Sequence, residues 1–294
     1  MVDPRTPQVR RFNRVVTQAT GVLNARYLGR DRSLGEARLL FEIGRDGAEV
    51  KELRARLALD SGYLSRLLRS LERQGLATAA AASHDRRVRK ARLTKAGLAE
   101  LAELDRLSDR LAQSILDPLS EEQRARLVAA MAEVERLLSA SSVSIDLESA
   151  ASEDARYCLG EYFRELSGRF EAGFDPAQSL PATEADFAPP SGAFIVMRLY
   201  GRPVGCGGFK RMEPDAAYLK RMWIAGEARG LGLGRRLLDA LEKQARASGY
   251  RTVRLETNRS LVEAQKLYRR CGYREVAPFN DEPYAHHWFE KPLA

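Results

Sequence analysis

Cysteine is scarce in this chain of 294 residues, occurring at positions 158, 206 and 271 alone. Three scattered thiols form neither a disulfide framework nor a zinc site, so a reducing compartment is expected. No apolar run reaches membrane-spanning length, and Met1 to Arg14 is polar and basic where a secretory leader would be apolar. These absences exclude a membrane role and point to a cytoplasmic location. Histidine is equally rare, and His286 and His287 lie on a strand-like stretch without metal-ligating company, so no metal is expected.

What the chain does have is basic charge, unevenly spread. A length of 294 predicts about two domains, and the serine- and alanine-rich stretch from Ser139 to Ser152 puts their boundary near Ser142. The expected domains are residues 1–142 and 143–294. Residues 1–143 carry 26 Lys and Arg against 19 Asp and Glu, while residues 144–294 carry 22 against 21. Most of the formal net charge of +8 therefore sits in the first half, and Lys51 to Lys95 alone holds 12 basic and 4 acidic residues. A polyanion partner is expected there.

That basic region has a helical period. Val50, Leu53 and Leu57 mark a short helix; Asp60 caps a second, which buries Leu64, Leu67, Leu68 and Leu71 and ends at Gln74-Gly75. The opposite face shows Gly62, Ser65, Arg66, Arg69 and Arg73, the small polar and cationic set of a helix entering a major groove. Leu76 to Thr94 then alternates as a hairpin with His84-Asp85-Arg86-Arg87 at its tip. Asp85 and Arg87, followed by Leu93, Thr94 and Gly97, resemble the MarR family of winged helix-turn-helix regulators. The resemblance implies that double-stranded DNA is the partner, with Asp85 orienting the wing and Arg87 entering the minor groove. Helical patterns at Val9 to Leu28 and Leu98 to Leu138, broken near Asp117-Pro118-Leu119 with Ser120 as a cap, match the helices through which MarR proteins pair, implying a homodimer.

In the second half, the strand-like Lys220-Arg221-Met222-Trp223-Ile224 opens into Arg229-Gly230-Leu231-Gly232-Leu233-Gly234-Arg235 and a helix carrying Leu237, Leu238, Leu241 and Ala245 on one face. Glycines remove Cβ atoms where backbone approaches phosphate oxygens, and the helix start favours negative charge. A dinucleotide site would place this loop at the start of a βαβ unit; here it comes some four fifths along the chain, after a β-meander. Arg229, Gly232 and Gly234 instead match the pyrophosphate loop of GNAT acetyltransferases, which the arrangement resembles. The phrase from Ala264 to Tyr273 is similar to the second signature of that family.

The GNAT resemblance implies acetyl-CoA as cofactor, held by residues 222–224 and 229–235 with Asn258 on the pantetheine arm, and Tyr268 as the acid that protonates the departing thiolate. A backbone N–H near Trp223 polarises the thioester carbonyl. Where relatives often carry a glutamate this chain has Tyr218, so the base is expected to be a water relayed by Glu256, Glu213 or backbone carbonyls. Ser260 to Glu263 reads as a capping box starting the helix of Tyr268. Arg164, Arg169 and Arg198 suggest a carboxylate grip on the acceptor, a small-molecule primary amine such as an amino acid.

The expected fold is thus a mainly α winged helix-turn-helix followed by an α/β (α+β) GNAT domain with a mixed, mostly antiparallel sheet. Two other functions use the same residues: a non-catalytic acyl-CoA or metabolite sensor that biases DNA binding, and a protein-lysine acetyltransferase.

Overall fold

Alternation of helical and strand periods along the chain is realised in two units, divided between Ala132 and Glu133 in the computed structural model, which describes residues 3–23, 26–81, 89–171 and 173–293. Asp85 and Arg87 lie outside the described residues.

The first unit holds α1 (Thr6–Ala19), α2 (Leu34–Ile43), β1 (Ala48–Glu49), α3 (Val50–Leu57), α4 (Ser61–Arg73), β2 (Ala77–Ala81), β3 (Arg89–Leu93), α5 (Lys95–Leu116) and the start of α6 (Glu121–Ser141). The Asp60 carboxylate accepts from the Tyr63 amide at 2.8 Å, capping α4 as its sequence implies. Leu64, Leu67, Leu68 and Leu71 are buried against Leu39, Leu40 and Leu53, while β1, β3 and β2 pair in that order as an antiparallel sheet. Arg32 and Arg30 both reach the mostly buried Glu100 of α5, at 2.9 and 2.6 Å, tying the loop before α2 to that helix.

The Leu93-Thr94-x-x-Gly97 phrase has a steric cause. Thr94 Oγ1 accepts from the Gly97 amide at 3.1 Å, capping α5, and donates to the Gly75 carbonyl at 2.7 Å. This draws the first turn of α5 so close to the chain after α4 that a Cβ on Gly97 would lie 1.9 Å from the Leu76 carbonyl oxygen. Ser120 and Gln123 form the reciprocal cap of α6, at 2.9 and 3.3 Å. The first helix is shorter than its apolar period suggested. It ends at Ala19, and Leu28 takes a left-handed φ of 53° in a 3-10 turn over Tyr27–Gly29.

The second unit holds the end of α6, then β4 (Val143–Leu147), α7 (Glu153–Arg169), β5 (Ala193–Leu199), β6 (Arg202–Glu213), β7 (Ala216–Ile224), α8 (Leu233–Ala247), β8 (Thr252–Thr257), α9 (Val262–Arg270), β9 (Arg274–Val276) and β10 (His287–Pro292). The sheet runs β4-β5-β6-β7-β8-β10-β9, and its one parallel pair is β7 with β8. Its mixed, mostly antiparallel character is the expected one. Phe194, Met197, Phe209, Leu237, Leu241 and Phe289 form the centre of its core.

Two local patterns resolve in the structure. The serine-rich stretch after Ser139 is not irregular chain: it finishes α6 and becomes β4, paired with β5 from Val143 to Leu147. Arg236 secures this junction by donating to the Ala140 carbonyl and, at 3.1 Å, to that of Val143, so the division falls inside α6. Ser260 does not cap α9 either. Leu261 is the N-cap residue, Ser260 Oγ is buried without a partner, and Asn258 Oδ1 instead accepts the Ser260 amide at 2.9 Å in an Asx turn.

Gly97→Ala is expected to destabilise the first unit by about 3 kcal/mol through overpacking, and Thr94→Ala by about 1 kcal/mol through loss of the cap. Urea unfolding of the full chain reads both as earlier transitions. An unshifted transition in Gly97→Ala would contradict the close approach of α5 to Leu76.

Candidate functional site

Strands β7 and β8 pair in parallel over Ala216–Tyr218 and Thr252–Arg254, and no ladder pairing continues beyond. Beyond that point Arg221 takes a left-handed φ of 60° where the β6–β7 register shifts between Cys206 and Gly208. Past the shift, β7 runs through Met222, Trp223 and Ile224 into the glycine loop. Two cavities occupy the opening, and Tyr162, Met222 and Tyr268 line both.

The larger, of about 520 Å³, lies along residues 222–224 and 228–235. Gly230 and Gly232 have φ of 79° and 73°, a conformation that costs a side-chain-bearing residue about 1–2 kcal/mol. Gly232 is also the N-cap of α8, with no side chain capping the helix, so its first amides face outward. Gly234 serves a different purpose: it is helical, and a Cβ there would meet Leu267 of α9 at 3.2 Å. Leu231 packs on the core, and Arg235 is exposed, 3.7 Å from Asp239. The Gly230 carbonyl accepts from Arg136, near the end of α6, fixing the loop from behind.

Glu165 of α7, which the sequence reading passed over, organises this cleft. Its Oε2 accepts from Trp223 Nε1 at 3.0 Å and pairs with Arg229 at 2.5 Å, while Oε1 takes Arg169 at 3.1 Å. Arg229 is thereby folded back, also donating to the Ile224 carbonyl at 3.1 Å.

The smaller cavity, about 100 Å³, is walled by Phe170, Phe174 and Tyr284 on one side and by charge on the other. The Lys220 ammonium sits 3.5 Å from Glu256, 3.2 Å from Glu282 and 3.3 Å from the Tyr218 hydroxyl. The side chains of Lys220 and Glu256 are each 9% exposed and that of Glu282 is 5% exposed. Glu282 Oε2 also accepts from Ser179 Oγ at 2.8 Å and the Leu180 amide at 2.9 Å. Glu256 Oε2 and Glu282 Oε1 are buried and make no hydrogen bond of normal geometry. Burial raises the Glu256 carboxyl above the ordinary carboxylate range, with the Lys220 ammonium and the Tyr218 hydroxyl pulling part of the way back. The Tyr268 hydroxyl, 4.0 Å from Met222 Sδ, is likewise raised, by burial and then by the Glu256 charge, so it keeps its proton at neutral pH.

Several residues singled out in the sequence lie elsewhere. Arg198 is enclosed by Glu148, Asp154 and Asp146 at 2.5, 2.6 and 3.3 Å beside β4. Arg164 is exposed and paired with Glu161, and Arg169 binds Glu165 and Glu263 beside the larger cavity. The three form no common carboxylate grip, because each already has its own carboxylate. Glu213 is paired with Arg254 at 2.6 Å, away from both cavities. Asn258 lines the smaller cavity instead of the larger, and its amide is engaged with the Tyr284 carbonyl at 2.8 Å. His287 meets Glu275 at 2.6 Å.

On the first unit, Arg66, Arg69 and Arg73 are exposed along α4, with Gly62 and Ser65 preceding them. Arg66 lies over the Tyr63 ring at 5.5 Å, and the other two donate only to carbonyls one turn back. None has a carboxylate partner among the described residues. Arg89 and Arg92 of the wing strand are also exposed.

The sequence model of the Acetyltransferase (GNAT) family matches residues 159–273, and that of the MarR family matches residues 29–88. The chain is 38% identical over 112 residues to the IAA acetyltransferase of Azospirillum brasilense, covering 36% of this chain and 71% of that protein. It is 32% identical over 126 residues to the N-acetyltransferase YjgM of Escherichia coli, covering 40% and 75%. Among solved structures, an acetyltransferase of the GNAT family from Staphylococcus aureus superposes with a TM-score of 0.46 at 20% identity, over 52% of this chain and 99% of that one.

In carboxyl-labelled protein followed by NMR, Glu256 should titrate above the ordinary value of about 4.3. Lys220→Met should carry it higher still, since the cation that favours the charged form is gone. As the folded-state value is the raised one, this group's contribution to stability is present below about 4.3 and is lost as the pH rises through the folded value. A downward move on removing the ammonium would contradict the arrangement.

Proposed function

Because the chain belongs to the Acetyltransferase (GNAT) family and carries a MarR-family domain ahead of that region, we propose that it binds double-stranded DNA as a homodimeric regulator and acetylates a primary amine of a small molecule. Acetyl-CoA is the cofactor. The residues present fit it: left-handed glycines and an uncapped helix start suit a diphosphate, and the cleft leads from there to Tyr268. When bound, the cofactor supplies an acetyl thioester. The observation that carries the enzymatic reading is the shared wall of Tyr162, Met222 and Tyr268, where a cofactor arm in one cavity and an amine in the other would meet.

The roles of the side chains follow from their surroundings. Glu256, with its raised pKa, is suited to take a proton from an ammonium near neutral pH, and Lys220 holds the carboxylate in place without being free to compete for it. This replaces the base that Tyr218 cannot provide, since the phenol is itself buried, raised in pKa and occupied by Lys220 and Asn280. Tyr268 retains a proton and gives it to the leaving sulfur. Most of the acceleration then comes from holding amine and thioester together in a confined space.

For the first unit, support comes from Arg66, Arg69 and Arg73 of α4, which have no carboxylate partner among the described residues and so keep the charge that phosphate contacts require. Val9, Phe12, Val15 and Val16 leave α1 with an exposed apolar face and no buried residue, which a second copy would cover.

Tyr268→Phe should lower kcat about a hundredfold while calorimetry shows acetyl-CoA affinity little changed; undiminished turnover would remove Tyr268 from the acid role. Acetyl-CoA binding with no release of CoA on any amine would instead make the second half a sensor. On DNA, Arg66→Ala should weaken binding and reduce the slope of log K against log salt by about one, measured by gel shift across salt concentrations. An unchanged slope would place α4 away from the phosphates.

A further inference from the structure

Arg221 is the one arginine facing the smaller cavity, and among the described residues it has no carboxylate within ion-pair distance. Its guanidinium lies between the Phe163 and Phe187 rings, at 5.7 and 5.1 Å, with one N–H given to the Ala182 carbonyl at 2.5 Å. It also borders an adjoining hollow of about 280 Å³ that runs along Ser179 to Thr183. None of its nitrogens is both fully buried and unbonded. The left-handed backbone at Arg221 is what points the side chain here, a conformation that persists only where its surroundings impose it. Arg164, Arg169, Arg198 and Arg229 differ in that each is neutralised by a carboxylate.

The same cavity holds the complementary deficit. Glu256 and Glu282 share one ammonium, that of Lys220, and each keeps one buried oxygen without a hydrogen bond. Two cations and two anions therefore line the site, with one cation lacking a carboxylate partner and two carboxylate oxygens lacking a hydrogen bond. A simple amine would satisfy the oxygens and leave the guanidinium desolvated without a counter-ion; a ligand carrying both charges satisfies both.

From this geometry, and resting on the acetyltransferase reading above, we propose that the acceptor is a small apolar amino acid, its carboxylate received by Arg221 and its ammonium by Glu256 and Glu282. Phe170, Phe174 and Tyr284 give its side chain an apolar wall.

The test uses the full chain with acetyl-CoA and matched acceptors with and without the carboxylate: leucine against 3-methylbutylamine, methionine against 3-(methylthio)propylamine, phenylalanine against 2-phenylethylamine. Thiol release should favour the acid over its amine in kcat/KM by about a hundredfold in at least one pair. Arg221→Met should collapse that ratio toward one by raising KM for the acid, and Arg221→Lys should restore part of it. Calorimetry with acetyl-CoA verifies that each variant keeps its cleft. If the amine equals or exceeds the acid in every pair, or the ratio survives in Arg221→Met, the assignment to Arg221 is overturned and the acetyltransferase stands. If neither these acceptors nor a lysine peptide releases thiol, the acetyltransferase reading falls and this inference with it.

Discussion

The parting of β7 from β8 is the constraint on which the second unit's chemistry depends. Parallel pairing over Ala216–Tyr218 closes the sheet at one end; its loss beyond Tyr218 opens a cleft without breaking the fold, since β7 keeps β6 and β8 keeps β10. Ligands of open α/β sheets gather at the carboxyl ends of such strands, where backbone groups released from a ladder are available. Here one strand end leads to the glycine loop and the other to Asn258, so the two cavities open at the same gap. The Lys220–Glu256 pair spans it just past the last backbone pairing. Buried ion pairs add little to stability relative to apolar residues of the same size, because desolvation offsets the attraction. A charged bridge at this point is better understood as a device that fixes the Glu256 carboxylate beside the cavity, as the proposed proton transfer requires.

How much of this was legible in the sequence depended on how local each signal is. The α4 leucines, the Asp60 and Ser120 caps, the glycine loop and the α8 apolar face are determined by neighbours within a turn or two, and each was read from composition and spacing. Gly97 was recognised as part of a phrase, but its reason, the approach of the Leu76 carbonyl, is a contact between segments. The α9 capping box failed because Ser260 matched the local pattern while Asn258, two residues earlier, captured the turn. Glu165, Lys220 and Glu282 were missed as a group for the same physical reason. Their roles come largely from partners distant in sequence, such as Trp223 and Arg229 for Glu165 and Glu256 and Glu282 for Lys220, and no periodicity encodes those pairings.

Arginine content illustrates the limit of charge counting. Arg198 has the residue type and the neighbourhood of a ligand contact when read as sequence, yet in three dimensions it serves Asp146, Glu148 and Asp154, and its net field is spent on them. The arginines of α4 have the same chemistry and a different accounting: their partners are a phenol ring and backbone carbonyls, which leave the positive charge intact. The informative quantity is therefore charge that remains after intramolecular pairing, not charge itself. By that measure the first unit presents its unpaired cations on an exposed helix face, suited to a polyanion that sheds counterions on contact. In the second unit Arg221 keeps its charge half-enclosed in a cavity that two carboxylates also line, suited to a single small anion carried in by its own ammonium. The same residue type thus serves an extended partner in one unit and a compact one in the other, with the difference set by which neighbours each fold supplies.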